Sequence, residues 1–260
     1  MGVRLPYRGW LFDLDGTVYR GEGLIPGAAE VIAALRAAGR RVAFLSNKPI
    51  QTRDDYAAKL TRLGIPTRSE DVVNSSLVLA RHLARTDPGA ACFVIGEPPL
   101  IGELKAHGLE VREDERVGWV VIAFDRTFTY AKLNTALQAV KRGARLIATN
   151  PDRTCPVADG EIPDCAGMIA AVEAVTGKTV ELIVGKPSPL MLEVALEVLG
   201  LAASETVIVG DRIETDVSMG KALGLGTVLV LSGVTAPDDP RIKELKPDHV
   251  LASIRELLAP

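Results

Sequence analysis

The chain has 260 residues, 30 Lys+Arg against 33 Asp+Glu, and a formal net charge of −3. That length suits one large domain or two modest ones, and a slightly acidic balance argues against a nucleic-acid-binding surface. Hydrophobic residues make up 47% and charged residues 24%, too apolar for disorder; with aromatics at only 4%, the core is expected to come from Ala, Val, Leu and Ile.

Arg4, Pro6 and Arg8 lead straight into a strand-like segment, so no signal peptide is expected. The predicted strands are 10–12, 42–45, 93–95, 120–124, 146–148, 182–184, 207–209 and 228–231. Most are continuously apolar, the pattern of strands buried on both faces of a parallel sheet. Helical patterns fall between them: 28–38 ends in Gly39, 54–63 in Gly64 and 190–199 in Gly200, each glycine where a left-handed cap is expected. This alternation predicts an α/β fold built on a Rossmann-like, doubly wound parallel sheet. The longest charge-free run, 222–237, holds three glycines and is not a membrane span. Cys92, Cys155 and Cys165 are odd in number and form no CxxC pair, and His82, His107 and His249 are scattered. They read as small reduced side chains, pointing to a cytoplasmic compartment rather than to zinc or disulfides.

Polar residues gather where strands end: Asp13 and Asp15, Ser46 and Asn47, Lys186, and Asp211. In an open parallel sheet, ligands bind at the carboxyl ends of the strands. Asp13 to Ser46 and Lys186 to Asp211 are each about one strand–helix–strand step, whereas Ser46 to Lys186 spans 140 residues. The spacing therefore predicts a discontinuous core, residues 1–79 plus 181–260, with an inserted α/β domain at 80–180.

The sharpest signal is Asp13-Leu-Asp-Gly-Thr17. Two carboxylates two residues apart, after an apolar strand and before a turn glycine, repel one another and call for a cation or a shared proton. A Mg²⁺ ion fits, because it prefers hard oxygen ligands. A lone acidic turn would explain neither the apolar lead-in nor the other strand ends.

Four motifs then match in order: Asp13-Leu-Asp-Gly-Thr17, Leu45-Ser-Asn47, Gly185-Lys-Pro-Ser188 and Gly210-Asp-Arg-Ile-Glu-Thr-Asp216. With them, residues 10–235 resemble the haloacid dehalogenase-like phosphatases. The large insertion resembles the C2-type α/β cap of class IIA. Phe124-Asp-Arg-Thr-Phe-Thr-Tyr130, Ala148-Thr-Asn-Pro-Asp152 and Gly185-Lys-Pro-Ser-Pro189 look like that subgroup's internal signatures, and the likeness is strongest to its NagD-like and AraL-type sugar-phosphate phosphatases. Asp164-Cys-Ala-Gly167 departs from the Pro-Gly-Ala-Gly of many relatives.

The resemblance implies that Asp13 is the nucleophile and that Mg²⁺ is bound by Asp13, the Asp15 carbonyl and Asp211, with Asp216 at or just outside the metal shell. Lys186 would neutralise phosphate and nucleophile, and Ser46, with Asn47 beside it, would hold a phosphate oxygen. Asp15 would be general acid and then base, which disfavours a dehalogenase. Residues 80–180 would select the substrate, with Asn150, Asp152 and the Asp164–Gly167 loop nearest to it; Ala148–Asp152 carries polar groups with no obvious structural duty. Arg212 and Glu214 are further candidates for the leaving group. The substrate expected is a small phosphorylated metabolite, a sugar phosphate first, with phosphoglycolate, pyridoxal phosphate and nucleotide monophosphates as alternatives. A phosphomutase or an idle sugar-phosphate sensor are rival readings, and association of copies through the cap is the partner implied.

Each residue also has a plain reading: Ser46-Asn47 as a strand-to-loop turn, Lys186 as a surface lysine, Asp211 and Asp216 as helix-start acids. Only their agreement in order and spacing favours a site. Gly177-Lys-Thr179 lacks the earlier glycine of a P-loop, because position 172 is Val. Gly224-Leu-Gly226 lacks the third glycine of a dinucleotide fingerprint. Arg112–Arg116 is expected to be a solvated loop, and His82 and His107 to lie on helix faces.

Overall fold

The computed structural model describes residues 3–157 and 160–258. They form two compact units: Met1–Ser46, Arg53–Val73 and Lys186–Pro260 make the first, and Asn47–Thr52 with Asn74–Gly185 the second. The second unit thus begins at 74 rather than 80, ends at 185 rather than 180, and also takes in 47–52. Side chains explain the last addition. Ser75 Oγ donates to the Asn47 carbonyl at 2.6 Å, Asn74 Nδ2 to the Gln51 carbonyl at 3.3 Å, and Asn47 Nδ2 to Asp152 at 2.9 Å.

The first unit is built on a six-stranded sheet ordered His249–Leu251, Gly226–Val230, Thr206–Gly210, Gly9–Asp13, Arg41–Ser46, Val72–Asn74. Gly9–Asp13 runs parallel to both neighbours, with Trp10 beside Val207 on one side and Val42 on the other. All five of its residues are buried, as its unbroken apolar run requires. From this central strand the chain winds outward to Val72–Asn74, then returns to build the other half. The strand order therefore reverses between Gly9–Asp13 and Thr206–Gly210, the place where such sheets bind ligands. The core beneath holds more aromatic bulk than the composition suggested. Trp10 stacks on Phe12 at 6.0 Å and Phe12 lies 6.4 Å from Phe44, all three fully buried.

The second unit holds a five-stranded parallel sheet ordered Leu182–Ile183, Arg145–Ala148, Trp119–Ile122, Ala91–Ile95, Glu110–Val111. Three of its helices start at side-chain caps, Asn74 for Ser75–Thr86, Thr129 for Tyr130–Lys141 and Asp164 for Cys165–Thr176, while Pro98–Ala106 opens on prolines without one. Gly177 ends the last of these in the left-handed conformation, which is its role in place of a P-loop. His82 lies within Ser75–Thr86, while His107 sits just past Pro98–Ala106 and faces Glu103. The three cysteines are free and buried.

All eight predicted strands are present, and one of them lies in a different unit. Leu182–Ile183 pairs with Arg145–Ala148 in the second unit's sheet, so Lys186 is not delivered by a strand of the core sheet. It opens the core segment that leads into the helix Pro189–Leu199. The strands left unpredicted are short or carry prolines: Val72–Asn74, Glu110–Val111, His249–Leu251, the pair Tyr19–Arg20 and Gly23–Leu24, and the antiparallel pair Thr154–Val157 and Gly160–Pro163. Two or three residues carry no period, and Pro156 and Pro163 speak against a strand in sequence.

Candidate active site

Asp13 is the last residue of the central strand and Asp211 follows the end of its neighbour, Thr206–Gly210. The turn Ile213–Val217 then carries Asp216 back toward them; its Oδ2 accepts from the Arg212 backbone N–H at 3.3 Å. Carboxylate oxygens of Asp13, Asp211 and Asp216 lie within 4.8 Å of one another. Lys186 Nζ donates to Asp13 Oδ1 and, at 2.8 Å, to Asp216 Oδ1. All four side chains are buried, with Asp211 and Asp216 fully so.

Three buried carboxylates beside one ammonium leave the cluster short of positive charge. Burial pushes Asp13 up to about 6, against the pull of Lys186. Burial, helped by the neighbouring Asp13 charge, pushes Asp211 up to about 7. Asp216 is raised for the same first reason, despite Lys186. Lys186 has burial working against its charge, but Asp13 and Asp216 hold it above the ordinary lysine range. Asp211 Oδ2 accepts from the Val234 N–H at 2.7 Å, whereas its buried Oδ1 has no hydrogen-bond partner. An orphaned carboxylate oxygen among like charges is costly unless a cation completes it. Hard oxygen donors in this number suit Mg²⁺ better than a softer ion.

Glycines wall the cluster. Gly16 has φ of 87°, and a Cβ there would lie 2.5 Å from Asp211 Oδ2. A Cβ on Gly233 would run into the same carboxylate, and one on Gly210 into Asp216. Gly210 opens the fourth motif, whereas Gly233, shortly after a predicted strand, carries no signal of its own in the sequence. Asp15 is half-buried in the turn after the central strand, forming a bridge with Tyr19, and the Gly16 N–H donates to the Tyr19 carbonyl at 2.8 Å.

Ser46 ends its strand buried, its hydroxyl donating to Tyr56 Oη at 3.0 Å, a partner the sequence did not reveal. Asn47 belongs to the second unit and is tied to Asp152. The expectation that Ala148–Asp152 lacks a structural duty is corrected. Asn150 is fully buried, and its amide donates to Asp152 Oδ2 at 2.8 Å and to Asp164 Oδ1 at 3.0 Å. Asp164 also receives the Cys165 N–H at 2.6 Å. Asp164 heads the Asp164-Cys-Ala-Gly167 departure, which is here a helix cap locked to the strand end through Asn150. Arg212 is half-buried beside Asp211, while Glu214 is exposed and accepts from Arg241 at 3.3 Å. Arg112–Arg116 is a loop, as expected, held by short-range pairs such as Arg116 with Asp114.

Residues 10–110 match the family described as haloacid dehalogenase-like hydrolase, and residues 183–257 a second family described as HAD-hydrolase-like. The sugar-phosphatase AraL of Bacillus subtilis is 44% identical over 250 residues, covering 96% of this chain and 91% of that protein. This chain belongs to the haloacid dehalogenase-like hydrolases. An acid sugar phosphatase of Staphylococcus aureus is 35% identical over 97% of both chains. Among solved structures, a p-nitrophenyl phosphatase from Archaeoglobus fulgidus superposes with a TM-score of 0.91 at 35% identity, covering 97% of this chain and 98% of that one. NagD from E. coli K-12 gives 0.90 at 32% identity, over 98% and 100%. Within the haloacid dehalogenase-like family the chain is a phosphoric monoester hydrolase of the NagD- and AraL-like, class IIA group. Among the described residues no helix is long and apolar enough to cross a membrane.

Proposed function

We propose that this enzyme hydrolyses small phosphate monoesters, sugar phosphates first among them, through an aspartyl-phosphate on Asp13. One observation carries the reading: the Lys186 ammonium is buried between Asp13 and Asp216 while Asp211 Oδ1 is left without a partner. Surface salt bridges have no need of such an arrangement. The names of the relatives, a sugar-phosphatase and an acid sugar phosphatase, support the substrate class.

Asp13 and Asp211, with the Asp15 carbonyl, would hold Mg²⁺, and Asp216 would orient the set from beside it. The ion would screen the repulsion between a phosphate dianion and a carboxylate. An Asp13 oxygen attacks phosphorus in line, and the bond from phosphorus to the ester oxygen breaks. Asp15 gives its proton to the departing alkoxide, a poor leaving group without one. Water then attacks the aspartyl-phosphate, Asp15 takes its proton, and phosphate leaves with Asp13 restored. Lys186 holds negative charge on Asp13 and on the transferring group, as a compact ammonium can. Ser46 supplies a hydroxyl to a phosphate oxygen. The second unit selects the leaving group, with Arg212 and Glu214 as further contacts, and would also carry any association between copies. Three free buried cysteines favour the cytoplasm.

A phosphate-release screen over a metabolite panel tests the reading. Wild type is expected to turn over sugar phosphates and p-nitrophenyl phosphate with Mg²⁺ and to stop in EDTA. Asp13→Asn should lose activity by about a thousandfold or more, as loss of a nucleophile does elsewhere. A covalent adduct found by mass spectrometry at any other residue would overturn it.

A further inference from the structure

The strand Arg41–Ser46 has its candidate phosphate ligand at one end; its other end enters a separate cavity of about 870 Å³. At roughly 3.3 Å per residue the two ends are about 17 Å apart. Arg36, Arg40, Arg41 and Arg68 line this cavity against a single carboxylate, Asp71. The four come from three places: the end of the helix Ala28–Ala37, the entry to the strand, and the turn before Val72.

Their existing duties do not explain their number. Arg36 donates to the Pro66 carbonyl, lies 3.8 Å from Asp71 and covers the Phe44 ring at 5.9 Å, so it is a structural residue. Arg68 reaches the same Asp71 at 3.5 Å. Among the described residues the Arg41 side chain donates to the Leu199 carbonyl, an uncharged group, and to no carboxylate. Arg40 is half-buried with no side-chain partner among the described residues. A helix C-terminus favours a cation nearby, which accounts for Arg36 but not for the other three. Like charges gathered without counter-charge raise the energy of the free protein, and a guanidinium fork matches phosphate in two-pronged geometry.

We propose that this cavity binds a small anion carrying two or more phosphate groups, held by Arg40, Arg41 and Arg68. One phosphate would leave most of the volume and much of the charge unused, since pockets of this size hold molecules of drug dimensions. The site belongs to the first unit alone and does not depend on the catalytic reading.

Inorganic pyrophosphate is the probe, titrated calorimetrically into the full chain at low ionic strength with EDTA present, so that no metal draws the anion to the carboxylates. One saturable equivalent is expected in wild type, with inorganic phosphate binding at least tenfold more weakly. Arg40→Gln and Arg68→Gln should each weaken pyrophosphate roughly tenfold or more. Arg40→Lys, which keeps the charge but loses the fork, should fall between. Arg62→Gln, an exposed arginine outside the cavity, should change nothing. Turnover of p-nitrophenyl phosphate by Arg40→Gln should stay within about twofold of wild type, and its unliganded melting temperature should not fall. No binding, unchanged binding in both cavity variants, or an equal loss in Arg62→Gln would overturn the proposal.

Discussion

A single methyl group at position 233 would strike the Asp211 carboxylate. Gly233→Ala should therefore shift that carboxylate and lower kcat on p-nitrophenyl phosphate by about a hundredfold, the scale of an ångström-sized misplacement. Normal turnover in this variant would show that Asp211 tolerates displacement. Asp211→Asn separates metal binding from packing. Its melting temperature without metal should rise, because a buried uncompensated charge is gone. Adding Mg²⁺ should then leave it unmoved, while wild type is stabilised. If Mg²⁺ stabilises both proteins equally, the ion binds elsewhere. At this scale the sequence was informative about acids and the lysine, because their chemistry shows in the residue type. It was silent about Gly233 and Tyr56, whose importance lies in what presses against them.

Elements are anchored by short polar side chains more than their hydrophobic pattern suggests. Asn74 caps the helix Ser75–Thr86 by accepting the Leu77 N–H at 3.0 Å while its amide holds the Gln51 carbonyl. Asn74→Ala should cost about 1–2 kcal/mol in urea unfolding, the usual loss for a cap; no loss would mean that water replaces both bonds. Asp152 accepts amide protons from Asn47 and Asn150. Asp152→Ala leaves both without that acceptor, at a cost of about 1–3 kcal/mol. It should also reorder the enzyme's preference among sugar phosphates more than it slows p-nitrophenyl phosphate. Equal losses on every substrate would assign Asp152 to stability alone. These elements were legible in outline, since apolar runs and glycine caps are local signals. Placing Leu182–Ile183 in the second sheet was not, because which sheet a two-residue strand joins depends on a partner 35 residues away.

Across the whole molecule there are separate hydrophobic cores, one around Trp10, Phe12 and Phe44, another around Phe93, Ile122 and Leu146. Heating should therefore depart from two-state behaviour, with a calorimetric enthalpy above the van't Hoff value and the Mg²⁺ effect confined to one component. A single transition matching both enthalpies would contradict this. Acid should weaken the second unit through Glu97, whose carboxylate is held below its usual 4.5 chiefly by hydrogen bonds from Arg126. A depressed folded value means the unfolded chain binds the proton first. The stabilisation is thus complete above the unfolded value and disappears as pH falls through the folded one. Glu97→Gln should flatten the fall in urea midpoint between roughly pH 5 and 3; an unchanged slope would place the acid sensitivity in other carboxylates.

Fold class and the cluster of acids at the strand ends could be read from order and spacing, because each motif is a few adjacent residues whose types carry the physics; the reaction was implied by the resemblance those motifs carry. The orphaned Asp211 oxygen, the glycine wall, the allegiance of 47–52 to the second unit and the arginine-lined cavity could not be read this way. All of them depend on groups far apart in the chain meeting at van der Waals or hydrogen-bond distance, and only packing in three dimensions brings those groups together.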